Sequence, residues 1–406
     1  MVTSFQGHAP GSSGYRRLTG CLFLAGLATF ALLHATQPIL PELSDAFGIT
    51  AAQSTWSLSA ATLGIGIALV LAGPLTDMVG RTPLIFGSLF ASSAVGIACG
   101  FAPNWHLLVL LRTVQGVLLA GLPSTATAYL REEVHPRARL RATGSYIGGT
   151  ALGGMSGRLI CGTMTDWLGW RSGLIALGVL GLLCAIGVFW LLPRSQNFVT
   201  QPAQPRAIAA RMGRVLTDPA LVAMYAIGGT LFGGFVAAYN GLSFRLVAEP
   251  YNLSVTLVSF VFLSYAVGSY TSGLGGRLAD RFGAATVVLT SILITLSGLA
   301  LTLAEPLVLV VLGIAVFTGG FFAAHGVTSA WVPARAVHDG GGAGQAASMY
   351  LCMYYLGGSA FGSVAGTAWQ SGRWPGVALL VGILTVTAAG LAMFARHHVA
   401  RHNVTA

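Results

Sequence analysis

Apolar residues run along this chain in long blocks separated by short polar intervals. Twelve blocks can be marked: residues 18–40, 53–74, 84–101, 106–130, 140–163, 171–192, 219–244, 255–278, 285–303, 307–330, 344–368 and 375–395. Each is close to the roughly 20 residues an α-helix needs to cross a bilayer. Barrel strands would instead alternate apolar and polar positions over about ten residues. The pattern predicts an all-α polytopic membrane protein with twelve transmembrane helices. The blocks at 84–101 and 285–303 are the shortest, and the count rests on them.

The two halves of the pattern repeat. Gly73-Pro-Leu-Thr-Asp77-Met-Val-Gly80 recurs as Gly276-Arg-Leu-Ala-Asp280-Arg-Phe-Gly283, an offset of 280 − 77 = 203. Leu152-Gly153-Gly154, Gly162-Thr163 and Trp170 recur as Leu356-Gly357-Gly358, Gly366-Thr367 and Trp374, an offset of 204. Two pseudo-symmetric six-helix bundles are therefore expected, at 18–192 and 219–395, with any solute site between them near the midplane. Residues 1–17 and 396–406 read as tails. Residues 193–218, rich in Pro and Arg, read as a linker with a short surface helix around 207–216.

Composition narrows the class. Of 406 residues 54% are hydrophobic and only 8% are charged, against about 25% charged in soluble domains. The net charge of +10 does not mark a nucleic-acid patch, because the basic residues are scattered between the blocks. All 21 are Arg. With both termini cytoplasmic, sixteen fall on that side, three on the other (Arg171, Arg245, Arg373) and two inside spans (Arg112, Arg158), which gives 16 + 3 + 2 = 21. Cytoplasmic termini follow from that excess. Without Lys there is no Walker A loop and no P-loop ATP chemistry. The five cysteines lie in apolar blocks with no Cys-x-x-Cys pair, so they read as small buried residues rather than metal ligands. The first block is long enough to span and is not a cleavable leader.

Several motifs carry a family resemblance. Gly73-x-x-x-Asp77-x-x-Gly80-Arg81, after span two, resembles the signature loop of the major facilitator superfamily. Arg112-x-x-Gln115-Gly116 in span four looks like a motif of its drug/proton antiporter branch. Gln37-Pro-Ile-Leu-Pro41 and Gly153-Gly-Met-Ser-Gly-Arg158 most resemble the YnfM-like bacterial inner-membrane transporters. Met78 and Thr82 stand where the family is usually basic, Ala284 stands opposite Arg81 in the second copy, and span five lacks the Gly-Pro pair of the antiporter motif. The resemblance implies alternating access, with Asp77 meeting the start of span eleven at Gly340–Gly344. By pseudo-symmetry Asp280, beside Gly276, Arg281 and Gly283, would meet the start of span five near Arg139–Thr143. Ordinary loop capping is the alternative role for both aspartates. Gly149, Gly153 and Gly157, and Gly358, Gly362 and Gly366, recur every four residues, a spacing that serves either a seam between halves or simple tight packing.

The eleven acids all fall at span ends and in loops, so a carboxylate relay through the core is not expected. The polar groups within spans are instead basic. His34, Arg112 and Arg158 lie about 7–10 Å below the outer boundary at 1.5 Å per residue, with Gln37 and Gln115 one turn from His34 and Arg112. Cationic groups at that depth need a cavity or polar partners. For Arg112 the alternatives are a cavity role or bonding to backbone carbonyls and Gln37. For Arg158 they are a cavity role or snorkelling outward. His34 and His325 are candidate proton carriers or satisfied structural groups. Tyr239, Asn240 and Tyr354 supply further contacts from the second half. The expected function is proton-coupled efflux of drug-like or metabolic compounds by a monomer in a bacterial inner membrane. The rival is an organic-anion carrier using Arg112 and Arg158. A membrane enzyme or sensor is remote, because no His-Glu-x-x-His or Gly-x-Ser-x-Gly occurs. No catalytic residue, metal or cofactor is implied.

Overall fold

The structure is a computed structural model. It describes residues 7–198, 212–338 and 342–404, with residues 73, 74, 77, 140, 338 and 400–404 described by backbone alone. Asp77 and part of its expected partner segment therefore lie outside the described side chains. Half of the expected helix at 207–216 also lies outside the described residues, and the described half, 212–216, is helical.

Ten helices among the described residues are long and apolar enough to cross a membrane. One of them, Ala343–Val404, is two spans. Gly372 (φ −144°) and Arg373 (φ 50°) leave helical geometry and turn the chain between spans eleven and twelve. The remaining span is Arg139–Leu168, 30 residues and so about 45 Å long, whose glycines dilute its hydrophobicity. Twelve spans result, and the two shortest blocks are helices at Arg81–Gly100 and Ala284–Leu301. An even number of crossings returns the chain to its starting face, here called the terminal face.

The repeated motif has a backbone cause. Gly80 (φ 102°) and Gly283 (φ 83°) each make a one-residue connection between consecutive spans, in a region that side chains with a Cβ rarely enter. Packing repeats as well. A Cβ at Gly153 would fall 2.1 Å from the Leu27 carbonyl oxygen, and one at Gly357 would fall 2.0 Å from that of Gly229. Span five thus lies on span one as span eleven lies on span seven. Gly149 and Gly157 face span one too, at 2.3 Å from the Phe23 oxygen and 2.5 Å from Ala31 Cα. Their four-residue spacing is packing inside one half, not a seam between halves. At the other end of the repeat Gly366 does meet the other half, 2.5 Å from the Ala51 oxygen.

The largest apolar core joins both halves. Two smaller cores, one around Leu22, Tyr129 and Val188 and one around Met224, Val332 and Ala395, each belong to a single half at its terminal face.

Candidate functional site

Span one is interrupted. The helix Ser13–Leu33 stops at His34, and the chain resumes as a short turn Gln37–Ile39 and a helix Leu40–Phe47. Pro41 has no N–H, so the Gln37 carbonyl cannot receive the usual helical bond. It accepts instead from Ser243 Oγ on span seven, at 3.0 Å. The break also exposes the carbonyls of Leu32 and Leu33, which a dry interior must satisfy. Arg112 does so. Its Nη1 donates to the Leu32 oxygen at 2.9 Å, its Nη2 to the Leu33 oxygen at 2.5 Å and its Nε to the Ser57 oxygen at 2.9 Å. It also donates to Gln115 Oε1, while Gln115 Nε2 donates to the Ser92 oxygen at 3.0 Å. Arg112 is buried and ties spans one, two and four within the first half. Gln37 is not among its hydrogen-bond partners.

Gln37 belongs to Arg158. The helix carrying Arg158 runs on to Leu168, five residues beyond the apolar block, which puts Arg158 about 15 Å from the helix end. Arg158 Nε donates to Gln37 Oε1 at 2.8 Å and Nη2 donates to the Tyr265 hydroxyl at 2.8 Å, with a further bond to the Gly154 carbonyl. The guanidinium lies 4.7 Å from the Phe262 ring centroid and 4.5 Å from that of Tyr265. Gln37 Nε2 donates to Asn240 Oδ1 at 2.9 Å, and Asn240 Nδ2 donates to the Gly362 oxygen at 3.0 Å. The result is a buried polar junction, with Arg158 and Gln37 from one half and Tyr265 and Asn240 from the other. Among the described residues no carboxylate pairs with Arg112 or Arg158.

Of the other named residues, Tyr239 borders this junction, its ring 5.0 Å from that of Phe262 and 5.5 Å from that of Tyr265, and the rest make no hydrogen bond to it. His34 is buried, its Nδ1 3.2 Å from the Phe30 oxygen. Tyr239 is held within the second half, its hydroxyl 2.6 Å from Ser264 Oγ and 2.7 Å from Thr318 Oγ1. His325 Nδ1 lies 2.9 Å from the Tyr350 hydroxyl, and its ring is 4.5 Å from that of Tyr354. Tyr354 in turn stacks on Phe232 at 3.7 Å.

The two faces differ. Away from the terminal face the halves are latched. Asp166, just past the fifth apolar block, accepts from the backbone N–H of Val255 (3.2 Å) and Thr256 (2.8 Å), which begin span eight. Partial burial pulls its carboxyl upward, but hydrogen bonds from Thr256, Ser254 and Val255 outweigh this and hold it below the ordinary carboxylate range. Ser359 Oγ donates to the Ser59 oxygen at 2.8 Å, and Thr55 Oγ1 donates to the Ser363 oxygen at 3.2 Å. Toward the terminal face, Cβ atoms at Gly144 and Gly148 of span five, or at Gly273 and Gly276 of span eight, would meet nothing within 4 Å. Asp280 is exposed there and forms no hydrogen bond or ion pair among the described residues. Arg139, at the start of span five, bonds the Val134 oxygen instead. Arg81 pairs with Glu132 at 2.7 Å inside the first half, and Arg281 lies over Phe282 at 5.1 Å. This conformation is closed away from the termini and open toward them.

Sequence reasoning missed the Asp166 latch. Its one signal is an acid at a span end and a Ser-Val-Thr helix start, which nothing in the chain links across 89 residues.

Two six-span halves around an interrupted helix and a buried junction define a membrane transporter that works by exchanging which face is open. The Major Facilitator Superfamily profile matches residues 18–267, and the chain belongs to that family. It is 36% identical over 375 residues to the uncharacterized MFS-type transporter YybF of Bacillus subtilis (strain 168), covering 92% of this chain and 91% of that one. It is 38% identical over 379 residues to the inner membrane transport protein YnfM of Escherichia coli (strain K12), covering 93% and 90%. Its fold is similar to that of a bacterial homologue of the human lysosomal transporter Spinster, solved in an inward-facing and unoccupied conformation. That likeness has a TM-score of 0.77 at 16% identity and covers 96% and 98% of the two chains.

Proposed function

We propose that this transporter carries a small organic anion across a bacterial inner membrane, and that Arg158 is the group that meets it. The observation behind this reading is a buried guanidinium at the junction of the halves whose partners are all neutral. Two of them, Tyr265 and Phe262, belong to the half that must move away when the closed face opens. A carboxylate can then take their place with paired, charge-assisted hydrogen bonds. Arg112 holds the interrupted span one in shape, which fixes Gln37 and thereby Arg158. The terminal face is cytoplasmic, as the Arg excess indicates. One chain supplies both halves, which supports a monomeric unit.

Proton-driven export of drug-like compounds is the second reading. It draws support from His325, a partly buried imidazole in the second half, hydrogen-bonded to Tyr350. In that reading Asp77 and Asp280 form their contacts when the terminal face closes.

The test uses purified protein in proteoliposomes with a panel of aromatic and aliphatic carboxylates, their amides and matching amines, with and without an imposed pH gradient. Carboxylates are expected to exchange, amides to be inert, and Arg158→Gln to stop exchange in a folded protein. Gradient-dependent transport of amines with inert carboxylates would overturn the anion reading in favour of the exporter.

A further inference from the structure

On the outward flank of the second half, spans eight, nine and ten enclose a groove of about 580 Å³. Along span eight it runs from Val267 to Phe282, about 22 Å. Its floor is made of small residues such as Gly275, Gly319 and Gly320. Four hydroxyl residues line it, and those of Thr271 and Thr290 are turned to backbone carbonyls. Thr271 Oγ1 donates to the Gly319 oxygen at 2.8 Å, and Thr290 Oγ1 donates to the Thr286 oxygen at 3.0 Å. A polar solute would find few partners along this mostly apolar lining, whereas a hydrocarbon chain meets methyl groups.

The mouth at the terminal face is charged. Phe282 lines the end of the groove, and the Arg281 guanidinium lies 5.1 Å from its ring. Arg281 is three residues from Leu278 and seven from Leu274, so it flanks the same helix face. Asp280 is two residues from both Leu278 and Phe282, which turns it to the far side of the helix. The groove therefore ends at an exposed cation with the neighbouring carboxylate directed elsewhere.

We infer that this groove binds an anionic phospholipid, with one acyl chain between spans eight, nine and ten and the phosphate on Arg281. Guanidinium is the side chain best matched to a phosphate diester oxygen pair. Basic residues at the inner edge of a helix cleft favour such headgroups.

Native mass spectrometry of the full-length protein, exchanged with equal amounts of phosphatidylglycerol and phosphatidylcholine of the same chains, tests this. Wild type is expected to retain phosphatidylglycerol about five-fold better, the effect of one well-placed cation. Arg281→Gln should bring the two lipids level. Thr290→Phe, at an exposed position of the wall, and Ala315→Phe, from the opposite wall, should lower retention of both while leaving Tm near wild type. Equal retention of the two lipids by wild type, or an undiminished preference in Arg281→Gln, would overturn the headgroup site. Undiminished binding in both groove-filling variants would overturn the acyl site. Transport blocked by those variants without any lipid being retained would make the groove an entry path for apolar solutes instead.

Discussion

Arg112 and Arg158 are both buried in the first half, but they answer to different needs. Arg112 serves the carbonyls of Leu32, Leu33 and Ser57, all fixed in its own bundle. Replacing it with Met leaves the Leu33 carbonyl without its donor and strips a second donor from those of Leu32 and Ser57, at roughly 1–3 kcal/mol for a buried group left unpaired. Arg112→Met should therefore lower the unfolding temperature in detergent markedly, whatever its effect on transport. Arg158 is held by Gln37 and Gly154 of its own half and by Tyr265 of the other, so its hydrogen bonds span the two halves. Arg158→Gln keeps a donor toward Gln37 and removes the charge, so Tm should stay close to wild type while transport falls at least about tenfold, the usual cost of a charged hydrogen bond. A Tm drop as large as that of Arg112→Met would make Arg158 a structural residue as well. The sequence shows both arginines as costly and places them at similar depth. It does not separate them, because their partners come from a helix break and from a span more than 100 residues away.

At the scale of elements, interrupted helices and close backbone contacts set what can move. Span five rests on span one through Gly149, Gly153 and Gly157. A valine at Gly153 would drive its Cβ to 2.1 Å from the Leu27 oxygen, so Gly153→Val should part the two spans and sharply cut the yield of folded protein, as monodispersity and Tm would show. The glycine spacing is legible in the chain, but the neighbour it faces is not, since any close helix fits such a face. The Asp166 latch makes a second prediction. Asp166→Ala removes the acceptor for the span-eight N–H groups, and a thiol placed at the buried Ser259 should then react faster with an impermeant reagent from the closed face. The carboxyl is held below its ordinary range, so the latch is intact at neutral pH. It weakens only in acid, as pH falls through that depressed value. The distance between spin labels at Leu168 and Leu257 should lengthen only in that acid window, and lengthening between pH 6 and 8 would assign the effect to another group.

The whole molecule is two halves that share one large core, with a smaller core confined to each half toward the terminal face. Twelve spans could be read because blocks of about 20 apolar residues admit few other structures in a bilayer. The hairpin at Gly372–Arg373 and the glycine-rich fifth span are weaker signals, but their apolar blocks at 140–163, 344–368 and 375–395 still stand out in the chain. The direction of opening was not legible, because every contact that sets it joins residues from different halves. Rocking of these halves about the Arg158 junction is most directly tested by paired spin-label distances in one preparation. One pair would sit at Leu168 and Leu257, exposed ends of spans five and eight on the closed face, and the other at Arg141 and Arg277 on the terminal face. Two populations are expected, short at one pair when long at the other, with Arg158→Gln shifting weight toward the state opened away from the termini. A single unchanging distance at each pair, or lengthening of both together, would contradict it.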